Sequence, residues 1–220
     1  MSYFITGTDT GVGKTLITCS LLQGFAAQGR RVAGFKPVAA GVETDGMNDD
    51  AKMLLAASNI PLNYEQVNPY CLHEAIAPHI AAKRENVGIE LSHIVAAYRE
   101  LAALADVVIV EGAGGFRVPL NETQDSANLA RELGLEIIVV VGMRLGCLNH
   151  ALLTVEAIQS RGLKLAGWVA NSVTDAMPVQ RENIAALKER IAAPLLGVVP
   201  YMTRPDAEAA AGQIDIGRLM

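Results

Sequence analysis

Apolar residues in this chain come in two alternating patterns: short continuous runs, and longer stretches repeating every three to four positions. The short runs are Tyr3–Thr6, Val32–Lys36, Val107–Glu111, Ile137–Val141, Leu165–Asn171 and Leu195–Val199. They are rich in β-branched residues and lack polar alternation, which predicts strands buried on both faces. Between most of them lie Leu16–Gln28, Leu91–Leu104, Asn149–Ser160 and Val179–Ile191, whose Ala and Leu spacing predicts helices. Strands that alternate with helices need crossover connections. The expected fold is therefore α/β, a mostly parallel sheet flanked by helices on both faces. Ligands of such sheets bind beyond the carboxyl ends of the strands. Glycine and polar residues gather there: Gly7, Lys36-Pro37, Glu111-Gly112, Gly142 and Asn171.

The stretch from Ala39 to Asn86 breaks this rhythm. Pro61, Pro69 and Pro78 interrupt it, and it reads as loops and short helices inserted into the sheet fold. Long insertions of this kind are often functional. With no internal repeat, low-complexity tract or linker, the 220 residues are expected to form one domain.

Between Gly7 and Thr15 the chain reads GTDTGVGKT, directly after the first strand and before the first helix. Strand, glycine turn and helix is the setting of a phosphate-binding loop, so a P-loop NTPase type of three-layer fold is expected. Backbone N–H groups of Gly11, Val12, Gly13, Lys14, Thr15 and Leu16 would cradle a nucleoside triphosphate, helped by the positive end of the helix dipole. Lys14 can reach the terminal phosphates, and the Thr15 hydroxyl can ligate Mg²⁺. The segment Asp106–Gly115 adds four apolar residues that end in Glu111, then Gly112, Ala113, Gly114 and Gly115. An acid ending such a strand is by itself a solvated carboxylate. Beside a phosphate loop it becomes a candidate ligand for the same Mg²⁺, and its glycines allow close approach of backbone to nucleotide.

Lys36 precedes Pro37, which biases it to an extended conformation and ends its strand. It is either a solvated lysine or a cation that stabilises a transferred phosphoryl group or an anionic intermediate. Asp49 and Asp50 start an apolar helical run, where acids are ordinary caps; one of them is also a candidate second metal ligand.

Charge and composition narrow the function. A net charge of −5 argues against nucleic-acid binding, and no apolar run reaches the length of a membrane span. Cys19, Cys71 and Cys147 have no paired or metal-type spacing, and no apolar leader opens the chain, so a cytoplasmic location is expected. His73, His79, His93 and His150 are scattered without metal-binding spacing, and neither a nucleophile elbow nor a Cys-x-x-Cys pair occurs.

The loop departs from standard spacing: the glycine usually found five residues before Gly13 is Thr8, with Gly7 one earlier. In this it resembles the dethiobiotin synthetase family. Further segments agree along nearly the whole chain: GFKPVAAG (34–41), NPYCLHEAIAPH (68–79), VEGAGG (110–115), VVGMRLGCLNHALLT (140–154), LAGWVANSV (165–173) and APLLGVVP (193–200). The resemblance implies ATP and Mg²⁺, with 7,8-diaminopelargonic acid and CO₂ as substrates. An amine captures CO₂ as a carbamate, ATP phosphorylates the carbamate, and the neighbouring amine closes a cyclic urea.

By the family pattern Lys14 and Lys36 are catalytic, and Thr15, Asp50 and Glu111 hold the metal. Asn171 and Ser172 would meet the adenine, with the backbone of Pro200, Tyr201 and Met202 lining the base pocket. Substrate would touch Thr10, Lys36 and Ala40. The family is dimeric, and Leu145, Gly146, Cys147, Leu148 and Asn149 would meet the distal carboxylate of substrate bound to the other subunit. Three positions depart from the pattern. An acid is frequent where Gly11 stands, a hydroxyl residue where Ala40 stands, and an acid where Ser172 stands.

Two other classes share the nucleotide motif. Partitioning and cell-division ATPases need a signature lysine four residues before the last glycine of the loop, and that position is Asp9. Cobyrinic-acid amide synthases append a glutaminase domain, which these 220 residues are not expected to include.

Overall fold

The computed structural model describes residues 1–219. In chain order the first elements are β1 (Ser2–Gly7), α1 (Lys14–Ala27), β2 (Val32–Phe35), β3 (Val38–Ala40) and α2 (Asp49–Ala57). Then come α3 (Tyr64–Val67), β4 (Tyr70–Leu72), α4 (Pro78–Arg84), α5 (Leu91–Leu104) and β5 (Val107–Gly115). The remainder is α6 (Ser126–Leu133), β6 (Glu136–Met143), α7 (Cys147–Ser160), β7 (Leu165–Ser172), α8 (Gln180–Arg190), β8 (Leu195–Val199) and α9 (Ala207–Ala211).

Six strands form one sheet in the order β2-β5-β1-β6-β7-β8, and every neighbouring pair is parallel. From β1 the chain moves outward to β2, returns to β5 beside β1, and only then crosses to β6 on the other side. The strand order thus reverses at β1, and ligand crevices open at such reversals. The phosphate-loop segment leaves β1 at that point.

Continuous apolar strands follow from burial on both faces. Tyr3, Ile5, Val107, Ile109, Ile138 and Val140 belong to one core with Ile17, Leu21, Leu22 and Phe25 of α1. The intervening Phe4, Val108, Val110, Ile137 and Val139 belong to the opposite core, with Ile94 and Leu101 of α5 and Val155 and Ile158 of α7. Period-two alternation sends successive side chains to opposite faces, so both sets must be apolar. Trp168 of β7 is the largest fully buried side chain and sits in that second core.

The six expected strands all occur, with shifted ends. The second strand stops at Phe35 rather than Lys36, because the Lys36 N–H turns to the Val67 carbonyl at 2.8 Å. β5 continues past Glu111 to Gly115, where glycines keep the pairing extended along β1. In the region from Ala39 to Asn86 the short helices α2, α3 and α4 appear, and so does a small parallel pair, β3 with β4. Three-residue strands carry too little periodicity to be seen in a sequence.

An exposed clamp ties the starts of β2 and β5. The Arg31 N–H donates to Asp106 Oδ2 at 2.9 Å, and its guanidinium donates to Oδ1 at 2.8 Å. These Arg31 hydrogen bonds hold the Asp106 carboxyl down at about 2. A carboxyl depressed in the folded state contributes stability above its unfolded pKa of about 3.9 and loses it as pH falls toward the folded value. Asp106→Asn is therefore expected to lower the urea midpoint by a constant amount between about pH 5 and 7, with the gap shrinking below about pH 4. An undiminished gap near pH 2 would show that the carboxyl is not depressed.

Candidate functional site

The turn after β1 is held by packing on both sides. Val12 is 1% exposed and wedges between two glycines. A Cβ on Gly7 would lie 2.6 Å from Val12 Cγ2, and one on Gly142 would lie 2.7 Å from Val12 Cγ1. Gly11 (φ 71°) and Gly13 (φ 88°) adopt left-handed backbone that side chains disfavour. Asn171, at the end of β7, donates its amide to the Val12 carbonyl at 2.8 Å. Gly13 begins α1 with no side chain capping it, so the helix amides there are open to an anion.

Four side chains, from α1, α2, β5 and the residue that follows β2, meet behind this turn. Lys36 is 3% exposed, and its Nζ donates to Glu111 Oε1 at 2.5 Å and to Asp50 Oδ2 at 3.1 Å. The Thr15 hydroxyl lies 2.8 Å from Asp50 Oδ1 and 3.0 Å from Glu111 Oε1. Lys14 Nζ reaches back to the Asp9 carbonyl at 3.3 Å.

Burial acts most strongly on Lys36 and disfavours its charge, but Glu111 and Asp50 outweigh it and hold the pKa above the ordinary lysine value. Lys14 shifts the other way: burial, then repulsion from Lys36, pushes its pKa down. Burial would raise Asp50, yet the Lys36 charge and the Thr15 hydrogen bond keep it lowered. Cys19 of α1 is pushed up to about 12 by burial and then by Glu111, so it stays a thiol beside this charge cluster.

The donor set suits a hard cation. Thr15 offers a hydroxyl, Asp50 a carboxylate, and Glu111 a second oxygen, Oε2, that is buried without a hydrogen-bond partner among the described residues. Magnesium takes oxygen ligands of this kind, so these residues fit it. Asp50 does not cap α2, because the Asn48 side chain does so by accepting from the Ala51 N–H. The Asp50 carboxylate is thereby left to the network.

A cavity of about 1010 Å³ opens over these groups. Of the residues expected from sequence it collects Thr10, Gly11, Gly13, Lys14, Thr15, Lys36, Ala40, Asp50, Ala113 and Gly114. Val12, Glu111 and Gly112 lie buried behind it. Asn171 and Ser172 are buried at the end of β7, where Ser172 Oγ accepts from Gln180 Nε2 at 3.0 Å. Pro200 and Tyr201 are exposed after β8, and Met202 packs on the core beneath α1. None of these lines the cavity of the single chain, nor does the stretch 145–149 that leads into α7, where Leu145 is 98% exposed.

The cavity also brings in residues that sequence reasoning missed. Asn48, the stretch Ala75–Pro78 and the run Arg117–Pro119 line it. Asp9 carries another unforeseen contact, an ion pair with Arg144 at the end of β6. The NPYCLHEAIAPH segment was the available signal for the Ala75–Pro78 wall. Arg117 had none, since a lone arginine after a glycine run has no pattern.

Comparison with known proteins agrees along the chain. A family model described as an AAA domain matches residues 1–209. An ATP-dependent dethiobiotin synthetase of Nitrosospira multiformis is 54% identical over 217 residues, 99% of this chain and 96% of that protein. One from Aromatoleum aromaticum is 54% identical over 216 residues, 97% of this chain and 96% of that protein. Among solved structures, a ParA family ATPase from Chlorobium tepidum aligns at TM-score 0.59 and 13% identity, covering 98% of this chain and 90% of that chain. MinD from Aquifex aeolicus aligns at TM-score 0.59 and 16% identity, covering 98% and 89%. At that identity the likeness is one of fold, the P-loop NTPase fold.

The buried pair makes a stability prediction. Removing one member of a buried ion pair strands the other charge and costs about 3–5 kcal/mol. Lys36→Met and Glu111→Leu are each expected to destabilise by about that much, and the double variant by less than the sum of the two. Denaturant titration of the four proteins measures the cycle. Strict additivity would mean that the two side chains do not support one another.

Proposed function

Because the chain belongs to the ATP-dependent dethiobiotin synthetase family, we propose a division of labour among its residues for that family's reaction. The chain is an ATP-dependent ligase that closes the ureido ring of dethiobiotin on the carbamate of diaminopelargonic acid. The observation that carries the assignment of roles is the buried Lys36–Glu111 pair, joined by the partly exposed Asp50 and Thr15, beside the open amino end of α1.

ATP binds with its phosphates on the amides of Gly11 to Leu16. An amine of 7,8-diaminopelargonic acid adds to CO₂, loses a proton and becomes a carbamate. A carbamate oxygen then attacks the terminal phosphorus, and ADP leaves. The nucleophile and the triphosphate are both anions, so their approach needs fixed positive charge. Lys14 and Lys36 supply it, already desolvated and oriented by their partners. The second amine attacks the carbamate carbon of the mixed anhydride, closes the five-membered ring and expels phosphate.

Magnesium held by Thr15, Asp50 and Glu111 would neutralise phosphate charge. Ala113 and Gly114 approach the nucleotide through backbone, while Thr10 and Ala40 border the substrate. Asn171 supports the loop through Val12, and Ser172, Pro200, Tyr201 and Met202 remain candidates for the adenine end. The exposed Leu145 and the turn to Asn149 support a homodimer in which the amino end of α7 serves the substrate of the other subunit. A cytoplasmic biosynthetic role accompanies this reading, and among the described residues no helix is long and apolar enough to cross a membrane.

The switch ATPases that share the fold place a lysine where this chain has Asp9. Here that position carries a carboxylate paired with Arg144 of the same chain, which favours the biosynthetic reading.

The test is ADP release with ATP, Mg²⁺ and bicarbonate, with and without the diamine. Strong stimulation that disappears when bicarbonate is removed is expected; slow hydrolysis indifferent to the diamine would overturn the assignment. Lys36→Gln is expected to cut kcat by about 100-fold or more while ATP affinity stays within about threefold. Equal loss of binding and turnover would make Lys36 a ground-state phosphate anchor.

A further inference from the structure

We propose that Arg117 is a receptor for the carboxylate at the far end of the substrate's alkyl chain, and so sets specificity for an acid over a neutral diamine. The inference rests on the functional reading above. It starts from a guanidinium that the catalytic network does not use. Arg117 follows β5 and lines the same cavity as Lys14 and Lys36. Its side chain is 57% exposed, and its Nε donates to Asp125 Oδ2. Among the described residues no acceptor meets its two terminal nitrogens.

Asp125 is a rigid post for that arginine. It is 8% exposed and caps α6 by accepting from the Asn128 N–H at 3.0 Å. The Asn128 side-chain oxygen accepts in turn from the Asp125 N–H at 2.9 Å, and Arg161 lies 3.7 Å from the Asp125 carboxylate. A guanidinium fixed at Nε by a capped, buried acid presents the remaining edge of its fork with little further loss of side-chain entropy. That edge is matched to a carboxylate, which it binds with two parallel hydrogen bonds.

The walls of the cavity indicate which carboxylate. Ala40, Ile76, Ala77, Val118 and Pro119 line it together with Arg117. An apolar lining with a cation suits an alkyl chain that ends in a carboxylate, its diamine lying at the lysine end. The other acids on the cavity wall are already engaged, Asp9 with Arg144 and Asp50 with Lys36 and Thr15. An ionised carboxylate has about four lone-pair sites, so a helix amino end from a second copy and the Arg117 fork are compatible partners.

Kinetics with 7,8-diaminopelargonic acid and its methyl ester tests the inference. The wild-type protein is expected to prefer the acid. Arg117→Gln should lower kcat/KM for the acid about 10- to 100-fold, mostly through KM, and leave the ester nearly unchanged. Arg117→Lys, which keeps the charge, should restore part of the preference. Arg161→Gln removes another cation from Asp125 without touching the cavity and should retain the full preference. If Arg117→Gln lowers acid and ester equally, or leaves their ratio intact, Arg117 only steadies the Asp125 cap and the inference is overturned. If the wild-type protein turns over neither diamine, the functional reading itself fails, and that outcome is distinct from a preserved acid-to-ester ratio.

Discussion

Everything at this site depends on a lysine that is charged and almost wholly removed from water. Lys36 is 3% exposed, and no chain would bury an ammonium group there without compensation. Glu111 from β5 and Asp50 from α2 supply it, and Thr15 at the start of α1 bridges the two acids. Three elements distant in sequence are therefore held in one arrangement by electrostatics that tolerates little displacement. Such pairs are poor sources of stability compared with apolar packing, so their presence points to chemistry. A site that brings one anion to attack another needs positive charge already desolvated before the reactants arrive.

The phosphate loop is positioned by a different force. Val12 fills the space that side chains at Gly7 and Gly142 would occupy, so apolar packing fixes the turn between β1 and β6. Asn171 adds a hydrogen bond from β7 to the loop carbonyl. The loop and the charge network share α1, whose first residues are Lys14 and Thr15. Covered by the sheet on one side and by α2 and α9 on the others, this helix shows hardly any polar face.

Much of this was legible in the sequence, for physical reasons that differ by residue. The strands could be read because burial on both faces leaves no polar positions, and Lys14, Thr15 and Glu111 because a phosphate loop and an acid-ended strand have fixed local patterns. Lys36 by itself reads equally as a solvated lysine, and Glu111 and Asp50 closing on it decide the matter; local sequence carries no information about a partner 75 residues away. The strands β3 and β4 were missed because three residues have no period, and their pairing is non-local. Arg117 was missed for the same reason, since its significance comes from Asp125 and from the cavity it borders. The resemblance to dethiobiotin synthetases carried what geometry alone does not supply, the identity of the diamine.

The central claim is that this buried cationic centre transfers the terminal phosphoryl group of ATP to a carbamate oxygen. The most direct measurement follows oxygen: turnover of the diamine with freshly added ¹⁸O-labelled CO₂ in unlabelled water, and mass analysis of the phosphate released. The mechanism predicts that an oxygen from CO₂ bridges carbon and phosphorus and leaves with phosphate, so each phosphate carries one labelled oxygen. Phosphate free of label, formed at the same rate as dethiobiotin, would contradict phosphorylation of the carbamate.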